Sequence, residues 1–153
     1  MLDCTLSLLV IACSCIDISI PAPRLLFVCT GNTCRSPLAE ALAEAQGVVA
    51  ESAGVDAQRS DGAAPYAARA LRAARDLSLD AHAPQSVDAF NLSAFDRIVA
   101  LDAAVARRLR TEHAVGDERL VTWSIPDPYG GSMADYRLCL EQIDTALTRL
   151  LSE

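Results

Sequence analysis

Cys29, Arg35 and Ser36 bracket a short loop, Cys29-Thr30-Gly31-Asn32-Thr33-Cys34-Arg35-Ser36-Pro37, that follows the apolar run 25–28. A thiol is a nucleophile, and a guanidinium grips two oxygens of one anion in a fork that a lysine cannot form. Gly31 and Asn32 are the residue types that tolerate left-handed backbone, which a loop adopts to turn several N–H groups inward. Ser-Pro followed by an Ala/Leu/Glu-rich stretch reads as a helix start, so the loop lies at a helix N-terminus. Unpaired N–H groups and the positive end of the dipole then suit a tetrahedral oxyanion, with phosphate the natural occupant. The dipole, Arg35 and the Ser36 hydroxyl would together favour the thiolate of Cys29. The Cys-x5-Arg spacing alone would arise from this composition about half the time, so the setting carries the argument. The plain alternative for Cys29 is a buried structural thiol.

A second segment, Asp127-Pro128-Tyr129-Gly130-Gly131-Ser132, offers a carboxylic acid. A phenolate, with a pKa of about 10, leaves phosphorus poorly unless a proton reaches it as the bond breaks. Asp127 could supply that proton and then deprotonate the water that attacks a thiophosphate. Taken alone it reads equally as an ordinary Pro-Gly turn former. Tyr129 and Trp123 could wall a substrate side chain or simply pack.

The elements that must position these groups follow from the apolar pattern. Residues 25–29, 48–52, 97–101 and 120–123 are short apolar runs of the kind buried on both faces of a parallel sheet. Helical patterns cover 37–46, 65–77, 103–110 and 133–151, with Gly47 closing the first. The alternation predicts a three-layer α/β fold, a four-stranded parallel sheet with helices on both faces. Ligands bind beyond the carboxyl ends of such strands, where the Cys29 loop, the Ser52-Ala53-Gly54 turn and the Asp127 segment all fall.

The chain has 153 residues, 52% of them apolar, and a net charge of −7. That predicts one globular domain, placed over residues 24–153, with residues 1–23 an extension outside the fold. The acidic balance argues against nucleic acid as a partner. All thirteen basic residues are arginine, so the lysine of a nucleotide-binding P-loop is missing. Two histidines and no Cys-x-x-Cys pair leave no metal centre to expect, and no cofactor motif is present. The six cysteines sit in a chain large enough to need no disulfides, which points to a reducing cytoplasm. The apolar stretch 6–15 is too short to span a membrane and lacks a basic flank, so no membrane is expected as a partner.

Residues 28–37 and 127–130 resemble the two signatures of the low-molecular-weight protein tyrosine phosphatase family, and the resemblance runs from about residue 25 to the C-terminus. It implies a cysteine-dependent phosphoprotein phosphatase that acts on phosphorylated proteins and releases inorganic phosphate. Cys29 would be the nucleophile, Arg35 the phosphate clamp, Ser36 the thiolate stabiliser and Asp127 the general acid and then base. The whole loop Thr30, Gly31, Asn32, Thr33, Cys34, Arg35 and Ser36 would bind phosphate. Asn32 would hold its strained backbone, with His82 and Ser52 in support. Within the family, Thr33 and the continuation Gly130-Gly131-Ser132 are similar to bacterial protein-arginine phosphatases, whereas tyrosine phosphatases commonly carry a bulky aliphatic residue at the Thr33 position. A polar Thr33 would accept a planar guanidinium, so Thr33 and Tyr129 are the expected selectivity residues, with a lean to phosphoarginine over strict phosphotyrosine.

Cys34, in the same loop, could form a reversible disulfide with an oxidised Cys29, or could be a small buried residue. Arsenate reductase chemistry would need further cysteines, and only Cys139 lies beyond the loop. A non-catalytic phosphate-binding module would lack the nucleophile or the acid, and both are present. Gln85 departs from the family, in which a basic residue often follows the histidine.

Overall fold

The computed structural model describes residues 20–57 and 61–153. Residues 1–19, most of the expected extension, lie outside the described residues. Four strands, β1 (Arg24–Cys29), β2 (Val49–Gly54), β3 (Arg97–Ala100) and β4 (Leu120–Thr122), pair in parallel in the order β2-β1-β3-β4. They alternate with helices α1 (Arg35–Ala45), α2 (Pro65–Arg75), α3 (Ala103–His113) and α4 (Met133–Leu151). This is the three-layer α/β architecture that the alternation predicts.

The pleat divides β1 between two cores. Leu25 and Phe27 join Leu38, Leu42, Leu71, Ile143 and Leu147 beneath α1, α2 and α4. Leu26 and Val28 join Ile98, Val105 and Leu109 beneath α3. β1 is therefore buried on both faces, which is why it reads as an unbroken apolar run. From β1 the chain crosses to β2 on one side, and β3 pairs on the other. The carboxyl end of β1 is thus the point where strand order reverses and where such sheets bind ligands.

Several boundaries differ from the sequence expectation for local reasons. α1 begins at Arg35 rather than 37, because Pro37 falls inside the first turn, where no intrahelical N–H is needed. α2 stops at Arg75 rather than 77, where Asp76 takes left-handed backbone (φ 54°). α3 runs on to His113 and ends on Ala114, also left-handed (φ 51°). Two single 3-10 turns, Val87–Ala89 and Leu92–Ala94, have no apolar period and escape sequence reading. Among the described residues no helix is long and apolar enough to cross a membrane.

Candidate active site

Cys29 closes β1, and its Sγ lies 2.9 Å from the Ser36 hydroxyl at the start of α1, while the Asn32 backbone N–H points at it from 3.3 Å. The loop between them turns through Asn32, which holds left-handed backbone (φ 56°) and is fully buried. A buried, strained polar residue needs every one of its groups satisfied. The Asn32 amide donates to Ser36 Oγ at 2.8 Å and to Ser52 Oγ at 2.9 Å. Its Oδ1 accepts from the Gln85 backbone N–H at 2.8 Å, and its carbonyl lies 2.7 Å from His82 Nε2.

This arrangement sets hydroxyl directions. Both serine oxygens accept from Asn32, so their own protons must point elsewhere. The Ser52 hydroxyl donates to Glu40. The Ser36 hydroxyl is left with the Ala53 carbonyl at 3.3 Å and the sulfur at 2.9 Å. Burial raises the Glu40 carboxyl above its ordinary range, against the opposing hydrogen bond from Ser52. Gly54 meets the loop from β2, and a Cβ there would stand 2.6 Å from the Thr30 carbonyl oxygen and 3.0 Å from the Asn32 nitrogen.

Arg35 is 3% exposed. Its Nη1 donates to Asp102 Oδ2 at 2.7 Å and to the Ile125 carbonyl at 3.0 Å, and its Nη2 lies 3.6 Å from Asp127 Oδ2. Burial opposes the charge on Arg35, but Asp102, Cys29 and Asp127 outweigh it and push its pKa up. Burial likewise opposes ionisation of Asp102, yet the Val105 amide and the Arg35 guanidinium hold its carboxyl below the ordinary range. Asp127 follows β4, half-exposed, with its Oδ1 accepting from the Tyr129 N–H at 3.1 Å.

Cys29, Arg35 and Asp127 share a cavity of about 640 Å³. Cys29, Thr30, Gly31, Thr33, Cys34 and Arg35 form its floor, Asp127 and Tyr129 one wall, and residues 61–65 the other. The Cys34 thiol is buried between the hydroxyls of Thr33 at 3.7 Å and Tyr136 at 3.9 Å, and burial raises its pKa in spite of both. Trp123 is not part of the wall; it packs on Phe27 in the core, with ring centroids 5.7 Å apart. Among the described residues no group of three or more His, Cys, Asp or Glu could hold a metal ion.

Sequence reasoning missed Asp102, Glu40 and the wall 61–65. Asp102 left one usable signal, since it stands directly after a strand at the ligand edge, although there it also reads as the helix cap that it is, with Oδ1 accepting from Val105 N–H at 2.8 Å.

A thiol, an arginine and a carboxylate over one amide-lined loop of a doubly wound sheet define a cysteine-based phosphoryl-transfer hydrolase. The family model described as low molecular weight phosphotyrosine protein phosphatase matches residues 24–153, and the chain belongs to that family. It is 35% identical over 151 residues to a low molecular weight protein-tyrosine-phosphatase of Streptomyces coelicolor, covering 84% of this chain and 92% of the relative. It is 29% identical over 140 residues to a protein-arginine-phosphatase of Geobacillus stearothermophilus, covering 83% and 93%. The crystal structure of a low molecular weight protein tyrosine phosphatase from T. tengcongensis superposes with a TM-score of 0.79 at 28% identity, covering 86% of this chain and 99% of that one. The protein is thus a cysteine-dependent phosphoprotein phosphatase.

Proposed function

We propose that the enzyme hydrolyses phosphoarginine, phosphotyrosine or both in proteins, with a lean to phosphoarginine, through a phosphocysteine intermediate. The observation that carries this reading is the meeting of Cys29, Arg35 and Asp127 in one cavity, with the Asn32 N–H and the Ser36 hydroxyl against the sulfur from behind the loop. The Cys29 thiolate attacks phosphorus; the S–P bond forms as the P–O or P–N bond breaks, and Asp127 gives its proton to the leaving oxygen or nitrogen. Arg35 and the amides of Thr30 to Ser36 carry the charge on the transferring oxygens. Asp127, now a carboxylate, takes a proton from water as that water attacks the phosphocysteine. Ser36 and the Asn32 N–H receive the departing thiolate, and inorganic phosphate leaves. Ser52 and His82 act through Asn32 to hold the loop.

Thr33, lining the cavity with a hydroxyl instead of an aliphatic wall, supports the lean to a guanidinium substrate, as does the relative named a protein-arginine-phosphatase. Strict tyrosine specificity is the second reading, favoured by the higher identity to the Streptomyces tyrosine phosphatase and by Tyr129, 78% exposed at the rim, where it can stack on a ring. Residues 24–153 would form the working unit, with 1–23 outside it. Cys29, Cys34 and Cys139 are free thiols, which suits a reducing cytoplasm.

The test compares phosphoarginine and phosphotyrosine peptides on the wild type and on Thr33→Ile, with Cys29→Ser as the control. Cys29→Ser should abolish turnover yet still bind phosphate; unchanged turnover would sink the mechanism. Thr33→Ile should shift preference towards phosphotyrosine by about ten-fold, the scale of one apolar wall contact. An unmoved ratio removes Thr33 as the selector.

A further inference from the structure

The cavity wall opposite Asp127 is the segment 61–65 that leads into α2. The Ala64 N–H donates to the Thr33 carbonyl at 2.8 Å, so this wall is fastened to the phosphate loop itself. Asp61 lies three residues upstream, exposed on the same cavity, and its Cα is within about 10 Å of Ala64 even if the backbone is extended. Neither Ala63 nor Ala64 brings a charge to the wall. Among the described residues that line the cavity Arg35 is the sole cation, and it already faces Asp102 at 2.7 Å and Asp127 at 3.6 Å. Two carboxylates therefore already face the one guanidinium, and Asp61 adds a further carboxylate to the cavity lining before a phosphate dianion enters, in a chain of net charge −7. Such a field repels acidic neighbours of the phosphorylated residue and attracts cationic ones. Tyr129, on the facing wall, also offers a ring to a cation.

We propose that Asp61 is a specificity-determining residue that selects protein substrates carrying Arg or Lys beside the phosphorylated residue. The inference rests on the phosphatase reading above and adds the substrate class to it. Adjacent residues of a bound peptide lie about 3.8 Å apart along the chain, so with the phosphate on the loop the flanking side chains fall over the walls. Asp61 is exposed, so the attraction is screened. Its expected size is about three- to ten-fold in kcat/KM at low salt, fading as ionic strength approaches about 1 M.

The experiment uses the full chain and matched peptide pairs that differ only in Arg or Glu on both sides of the phosphoresidue, in phosphotyrosine and phosphoarginine versions. The kcat/KM ratio within each pair is measured at low and high salt for the wild type, Asp61→Asn and Asp61→Arg. An exposed rim position tolerates both changes in stability, which thermal melts would verify. The wild type should favour the Arg-flanked peptide at low salt only, Asp61→Asn should reduce that preference about three-fold or more, and Asp61→Arg should reverse it. A ratio near one in the wild type, or the same ratio in all three proteins, overturns the inference. An unflanked aryl phosphate separates the two levels: if the wild type leaves it intact, the phosphatase reading falls and this one with it; if the wild type turns it over while the ratios stay level, only the role of Asp61 falls.

Discussion

Replacing Asp102 tests whether the phosphate-gripping arginine is positioned from outside the loop. The two Asp102 oxygens do different jobs, Oδ1 capping α3 at Val105 and Oδ2 accepting from Arg35. Asparagine is as good a cap as aspartate but has one oxygen and one amide, so when it caps, its NH2 faces the guanidinium, donor against donor. Removing one partner of a buried ion pair costs about 3–5 kcal/mol. The Asp102 side chain is 30% exposed and the Ile125 carbonyl stays on the same Nη1, which brings the figure for Asp102→Asn to about 2 kcal/mol. Asp102→Ala loses the cap as well, for about 3 kcal/mol in all. In a domain of this size the melting point should fall by about 6–8 °C for Asn and further for Ala. With Arg35 free to swing, kcat/KM on an aryl phosphate should drop about ten- to hundred-fold, and inorganic phosphate should inhibit more weakly. Because the native carboxyl titrates below its unfolded value of about 3.9, its stabilisation is complete above that pH and is lost as pH falls through the lower native value. The wild type should therefore lose its advantage over Asp102→Asn only in that acid window. Asp102→Asn with a wild-type melting point and an unchanged phosphate inhibition constant would refute the reasoning.

Three further changes probe the rest of the site. Gly54→Ala drives a methyl against the Thr30 carbonyl and should cost about 1–3 kcal/mol and weaken phosphate binding, read by melting and phosphate inhibition; wild-type values of both would show that the loop yields freely. Asp127→Ala should slow aryl phosphates of poor leaving groups about 100-fold or more and those of good ones far less, and equal losses across a leaving-group series would take Asp127 out of the acid role. Under peroxide, Cys29 would be oxidised to a sulfenic acid that condenses with the Cys34 thiol, releasing water and giving a disulfide that thiol reductants reverse. Peptide mapping of the treated enzyme should find that linkage, and Cys34→Ser should lose activity irreversibly; absence of the cross-link removes the idea.

The parts of this molecule that sequence reading reaches are those whose cause is local. β1 is unbroken and apolar because it is buried on both faces, and the loop after it carries Asn32 for its left-handed turn and Pro37 in the first turn of the helix, whereas Gly31, expected to share the left-handed role, has no positive φ. Cys29, Arg35 and Ser36 lie on one short loop, so their meeting follows from the turn. Asp102 and Glu40 could not be found that way. Their partners are 67 and 12 residues away, and each satisfies a local rule that hides the distant contact, Asp102 as a helix cap and Glu40 as one more acidic residue of an Ala/Glu-rich helix. Trp123 misleads for the opposite reason: a large aromatic near the ligand edge has the chemistry of a wall, and only packing on Phe27 assigns it to the core.

The buried polar side chains among the described residues, Asn32, Arg35, Ser36 and Ser52, all belong to the loop or touch it, and none is left without a partner. Polar groups in such a place are stabilising only while all of them are paired. Asn32 draws its partners from α1, from β2 and from the segment carrying His82 and Gln85, and Arg35 draws its own from the ends of β3 and β4. The left-handed backbone at Asn32 is unfavourable by itself and persists because those contacts outweigh it. The phosphate loop is therefore complete only once the sheet has closed around it. The same pairing that orders the loop leaves the Ser36 hydroxyl between the Ala53 carbonyl and the Cys29 sulfur, so the packing that stabilises the domain also holds a hydroxyl 2.9 Å from the nucleophile.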